Sequence, residues 1–218
     1  MEQTDIWSIN PSTSATFFKT VGTVTGGVFP RALTLTNTDP VVAKEGSGYR
    51  LVFTSAGNDS GITFTINGAV VGNLVDGASG VNYPEVITGG NAGAVNSVYY
   101  YSRIDSIVIS GAAAGTVSVG TTGSLALPRC RVKGFYIVSA AGAGSLKIDR
   151  HTHTTTTGTP TTVTPGIAEN ILDITTPGGV TLTQFLSLPG QGILTGKQQN
   201  DFSVVVATTL TDFTLFCA

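Results

Sequence analysis

The chain has only two histidines, His151 and His153, and they stand one residue apart. In an extended segment that spacing puts both imidazoles on one side, where they could ligate a divalent cation. Asp149, or the same residues of symmetry-related copies, could supply a third ligand. The surroundings argue against a built site. The run from His151 to Thr162 is low in complexity and rich in threonine, and Pro160 and Pro165 interrupt any ladder it could join. It reads as an exposed, projecting loop with solvated histidines, and no metal is assigned.

Other chemistry is equally thin. A nucleophile–base pair or a carboxylate dyad needs its groups held side by side, yet the 13 carboxylates are scattered singly beside Gly, Asn or Ser as turn formers. Asn58-Asp59-Ser60-Gly61 and Asp76-Gly77-Ala78-Ser79-Gly80 share only composition with calcium loops. Neither a Walker-type loop nor a dinucleotide-binding glycine fingerprint occurs. The expectation is a protein with no catalytic residue and no cofactor.

Two sets of residues read instead as contact elements. Arg129, Arg131 and Lys133 alternate, so a strand would turn all three cations to one face, suited to an acidic neighbour. Ile6, Trp7 and Ile9 lie in an otherwise polar leading segment, where a lone Trp buries large area wherever it docks. Cys130 and Cys217 are too few to staple a domain; a pair bridging two end strands and two buried thiols both fit the sequence.

The elements that position these residues are strands. Alternation recurs in Leu33-Thr34-Leu35-Thr36, Ile62-Thr63-Phe64-Thr65-Ile66, Val117-Ser118-Val119 and Phe213-Thr214-Leu215, with apolar side chains on one face and hydroxyls on the other. Helical periodicity is nearly absent. Three stretches follow one pattern: Leu51-Val52-Phe53 to Gly61-Ile62-Thr63-Phe64, Ile107-Val108-Ile109 to Val117-Ser118-Val119, and Phe135-Tyr136-Ile137-Val138 to Leu146-Lys147-Ile148, each through an Ala/Gly-rich loop. They read as hairpins. The predicted fold is all-β: two small antiparallel β-sandwich or barrel domains, jelly-roll-like, with an extended N-terminal arm. The arm is residues 1–15, the first domain 16–123 and the second 124–218, joined at Gly120-Thr121-Thr122-Gly123 ahead of Pro128.

At 218 residues and 41% hydrophobic content a sizeable core is available, but only 11% of residues are charged, against about 25% in ordinary soluble domains. The net charge of −2 supplies no field to gather nucleic acid or an anionic membrane. No basic-then-apolar leader opens the sequence and no run of about 18 apolar residues occurs, so export and membrane insertion are not expected. A subunit surrounded by other protein is.

The run Leu51-Val52-Phe53-Thr54-Ser55-Ala56-Gly57-Asn58-Asp59-Ser60-Gly61-Ile62-Thr63-Phe64-Thr65-Ile66-Asn67-Gly68, with Glu85-Val86-Ile87-Thr88-Gly89-Gly90-Asn91-Ala92-Gly93 and Gly115-Thr116-Val117-Ser118-Val119-Gly120, resembles small β-domains of tailed-bacteriophage structural proteins. Arg131-Val132-Lys133-Gly134-Phe135-Tyr136-Ile137-Val138-Ser139-Ala140, Leu188-Pro189-Gly190-Gln191-Gly192-Ile193 and Phe213-Thr214-Leu215-Phe216 are similar to another short phage virion module. The stretch Gly72 to Pro84 and the Thr-rich run after His153 depart from the pattern. The resemblance implies a virion protein assembled in the host cytoplasm. Its expected role is capsid decoration (cement), as a homotrimer on the major capsid protein. A tail or head-to-tail adaptor or fibre-base component is the alternative. A carbohydrate-binding β-sandwich is a further one, for which Tyr99, Tyr100 and Tyr101 offer the only aromatic cluster.

Overall fold

The computed structural model describes residues 5–8, 14–36, 47–71, 84–127, 131–139, 142–156, 162–178, 183–188, 192–194, 201–208 and 210–217. Among these the chain is all-β. The first half holds β1 (Asp5–Ser8), β2 (Ser14–Thr23), β3 (Arg31–Ala32), β4 (Gly48–Ser55), β5 (Thr63–Val70), β6 (Glu85–Thr88), β7 (Ala94–Ile109) and β8 (Thr116–Leu127). The second holds β9 (Arg131–Ser139), β10 (Gly144–Thr156), β11 (Thr162–Thr176), β12 (Thr183–Ser187), β13 (Ile193–Leu194), β14 (Asp201–Thr208) and β15 (Leu210–Cys217).

Antiparallel pairing sorts these strands into two sheets. One runs β1-β15-β9-β12, with β13 also paired to β9; the other runs β11-β10-β14-β8-β4-β7-β5-β6, with β2 on β8 and β3 on β7. The second core lies where the two sheets face each other. There Leu125 and Leu127 of β8, Val132, Phe135 and Ile137 of β9, Leu146 and Ile148 of β10 and Val205 of β14 are all buried in one cluster. Alternation does this work in β9, where Phe135, Ile137 and Ser139 point inward, while Val132 is buried ahead of a shift in phase at Gly134–Phe135.

The first core depends on one bent strand. The early part of β7 pairs with β4 (Thr54 opposite Ala94), and its later part pairs with β5 (Phe64 opposite Ile109). Because β4 ends near the start of β7 while β5 starts near its end, the short connection 56–62 closes only if β7 turns a corner from one layer to another. The turn brings Phe53 of β4 and Phe64 of β5 face to face across the core, with ring centroids 5.0 Å apart. Tyr101, fully buried, sits at the bend.

The three Ala/Gly loops are therefore not hairpins. β4 and β5 flank β7, β7 and β8 flank β4, and the loop after β9 leads into the other sheet. The residue pattern marks strand, turn and strand, but not which strands pair. The small residues serve a crossing instead. A Cβ on Gly57 would lie 2.8 Å from the Ala114 carbonyl carbon, so the 56–62 and 110–115 connections touch backbone to backbone. Asp59 fastens them, its Oδ1 accepting the Ala114 N–H at 2.7 Å.

The expected junction at Gly120–Gly123 lies inside β8, which continues without a break to Leu127. The two buried clusters do part at this point, the first ending at Val119 and the second beginning at Leu125. What the glycines provide is a bulge. Tyr49 of β4 faces Leu125 and Leu51 faces Thr121, so three residues of β8 stand opposite Arg50 alone.

Candidate functional site

A second bulge lies on the other side of β4, one residue further on. Arg50 faces Tyr100 and Val52 faces Asn96, which leaves Ser97, Val98 and Tyr99 of β7 opposite Leu51 alone. Backbone groups in such a bulge lose their ladder partners and must find others. Side chains supply them here. Ser97 Oγ accepts the Leu51 N–H and donates to the Tyr99 carbonyl, both at 2.8 Å, while Arg50 Nε donates to the Ser97 carbonyl at 2.5 Å. The Glu85 carboxylate accepts the N–H groups of Val98 (2.5 Å) and Tyr99 (3.3 Å) and the Tyr101 hydroxyl at 3.0 Å.

Glu85 reaches that position by strand periodicity. In Glu85-Val86-Ile87-Thr88 the second and fourth side chains face solvent and the first and third face inward, so an inward Ile87 implies an inward Glu85. Sequence reasoning overlooked this residue, although the alternation contained the signal. Burial pushes the Glu85 carboxyl above the usual carboxylate range, against the opposing pull of the hydrogen bonds and of Arg50.

The network continues into the second half of the chain. Tyr100, buried on the opposite face of β7 from Tyr101, hydrogen-bonds Ser124 in the β8 bulge and lies edge-on to the His151 ring, with centroids 6.1 Å apart. Burial lowers the His151 pKa, with Asp149 opposing and Arg50 reinforcing that shift. Asp149 in turn accepts an N–H of Asn170 on β11 at 2.8 Å. Groups from β4, β6, β7, β8, β10 and β11 thus hold together the place where the ten-stranded sheet passes from one core to the other. Their polar atoms face one another and the bulged backbone, an arrangement suited to fixing a junction.

The expected site residues fall as follows. His151 is buried and lies in β10, and the segment read as a projecting loop forms a β10–β11 ladder reaching Thr156 opposite Thr162, with His153 opposite Pro165. Low complexity and proline concealed the register; residues 157–161 lie outside the described residues. Among those described, no three His, Cys, Asp or Glu side chains gather as a metal site. Tyr99, Tyr100 and Tyr101 are all buried, so they form no exposed platform for a sugar. Their run is apolar enough to serve the bent strand on both faces.

Ile6 and Trp7 belong to β1, which pairs with the last strand: Ile6 stands opposite Phe216 and Trp7 opposite Leu215. The segment expected to be a free arm thus contributes an edge strand, its partner being at the far end of the chain where no local pattern could announce it. Arg131 and Lys133 share one face of β9, both half-buried. Arg129, Ile9, Cys130, the Asp76 loop and nearly all of Gly72 to Pro84 lie outside the described residues.

Large apolar side chains reach solvent at two sheet edges. Phe185 (65% exposed) and Leu186 belong to edge strand β12, and Val86 (62% exposed) to edge strand β6. Phe185 packs edge-on against Phe216 with centroids 5.4 Å apart, which holds its ring in place on the surface. The sequence of β12 is Thr-Gln-Phe-Leu-Ser, without a charge. Comparison of the chain with protein-family models, with curated proteins and with solved structures gave no match.

Proposed function

We propose that this chain is a virion structural protein of the tailed-phage kind. Its role is that of a capsid decoration (cement) protein, bound as a homotrimer to the outside of a shell of major capsid protein. The observation that carries this reading is edge strand β12, whose outer side no described strand pairs and which shows the exposed Phe185 and Leu186 without a charge to repel a partner. Proteins that stay alone in solution usually blunt such an edge with Lys, Pro or a covering loop. The chain's 11% charged content extends the same argument to the rest of the surface.

The mechanism is thermodynamic. A subunit that binds only the assembled shell, touching several capsid subunits at once, stabilises that state by mass action and multivalency. Quantitative mass spectrometry of purified particles tests it. Hundreds of copies per particle support decoration, whereas about 6 to 18 copies follow from tail or connector rings and would transfer the reading there. Absence from particles overturns it.

A further inference from the structure

Between β2 and the segment 31–36 lies an open pocket of about 330 Å³, lined by Lys19, Thr20, Thr23, Arg31, Thr34 and Thr36 together with a small apolar floor. Its wall is fixed by the backbone, since the Thr36 N–H donates to the Phe18 carbonyl at 2.7 Å and the Leu33 N–H to the Ile107 carbonyl at 2.8 Å. Two cations and four hydroxyl side chains line it, and among the described residues no carboxylate does. We infer that this pocket binds a small hydroxylated carboxylate, of the sugar-acid type.

Both cationic heads are held in position. Lys19 Nζ donates to the carbonyls of Thr20 at 3.0 Å and Val117 at 3.1 Å, and an ammonium has three N–H donors, so one is left for a ligand. Arg31 lies with its guanidinium carbon 5.1 Å from the centroid of the Phe29 ring, leaving the planar fork to grip a carboxylate through two parallel bonds. Each head rests over a glycine. A Cβ on Gly22 would stand 3.3 Å from Lys19 Nζ, and one on Gly27 would stand 2.9 Å from Arg31 Nη1, so a side chain at Gly27 would shift the guanidinium and one at Gly22 would crowd the ammonium.

The body of the ligand follows from size and lining. The volume exceeds what an isolated anion fills, and the remaining walls are hydroxyls, which reward a ligand carrying hydroxyls of its own. Thr36 sharpens that requirement. Its Oγ1 donates to the Phe18 carbonyl at 2.9 Å, so towards a ligand it can only accept, and a ligand hydroxyl would be the donor. Burial lowers the Lys19 pKa, and a bound carboxylate would raise it again.

The test is a titration of the full chain with glucuronate and galacturonate, followed by amide NMR, with glucose, acetate and inorganic phosphate as comparisons. A saturable shift centred on Lys19, Thr20, Arg31 and Thr34 is expected for at least one uronate, with glucose and acetate each weaker by about tenfold or more because each offers half of the recognised groups. Arg31→Gln and Lys19→Gln should each weaken binding by about tenfold, and Arg31→Lys, which keeps charge but not the fork, should weaken it less than Arg31→Gln. A circular dichroism melt of each variant confirms that it is folded. Absence of a saturable shift overturns the inference, as does undiminished binding by the folded Lys19→Gln/Arg31→Gln double variant. Phosphate or acetate binding as tightly as a uronate overturns it too. None of these measurements involves β12 or a particle, so they stand or fall apart from the virion reading.

Discussion

The ring of His151 on β10 meets the ring of Tyr100 on β7 edge-on, at 6.1 Å between centroids and 77° between planes, joining the two halves of the chain at the centre of the ten-stranded sheet. Burial, the largest effect, holds the His151 pKa below its ordinary value of 6.5. The unfolded chain therefore binds the proton first. The stability this group contributes is fully present above pH 6.5 and is lost as pH falls through the lower folded value. Urea melts across mildly acidic pH should show a decline that His151→Phe flattens. An unchanged pH slope in that variant would show that the imidazole does not titrate on unfolding.

Glu85 has the opposite sign. Its folded pKa is raised above 4.5, so its contribution is fully present below pH 4.5 and is lost as pH rises through the folded value. Glu85→Gln should remove that slope. It should also cost about 1–3 kcal/mol near neutrality, because the amide keeps one accepting oxygen and turns a donor nitrogen to the other of the Val98 and Tyr99 N–H groups. Equal stability of variant and parent from pH 4 to 8 would exclude the carboxylate as the partner of that bulge.

The second core draws on strands of the first half. Leu125 of β8 is buried within it and Tyr49 of β4 packs against it. A chain of residues 126–218 lacks both, and is expected to show no cooperative melt on its own, while the full chain unfolds in one transition. A cooperative transition in that fragment would establish the second core as self-sufficient.

Gly134 of β9 stands beside β12, opposite Ser187, where an added Cβ would stand 2.7 Å from the Leu186 carbonyl oxygen. Gly134→Val should therefore loosen β12 and cost about 1–3 kcal/mol in thermal melts. Phe185→Lys, on the exposed side of the same strand, should cost no more than about 0.5–1.5 kcal/mol through its contact with Phe216 yet reduce self-association and incorporation into particles. Full incorporation of the Phe185→Lys protein would remove β12 as the contact surface.

Much of this fold is legible in the residues. Alternating apolar and hydroxyl side chains specify strands and their inward faces, because a pleated backbone turns successive side chains to opposite sides whatever they pair with. The same rule places Glu85 inward beside Ile87, whereas the glycines around residue 120, read as a domain junction, stand at a bulge inside β8. Partner choice is another matter. The pairing of β1 with β15, the crossing of the 56–62 and 110–115 connections and the bend of β7 all join residues distant in sequence. A ladder needs only backbone N–H and C=O groups, which every residue but proline offers, so nothing local names the partner. The meeting of Arg50, Glu85, Tyr100 and His151 depends on those long-range pairings. The sequence determined that this chain is made of half-buried strands with few charges; only the tertiary structure, by burying both faces of one bent strand, decided which polar groups had to be gathered to satisfy it.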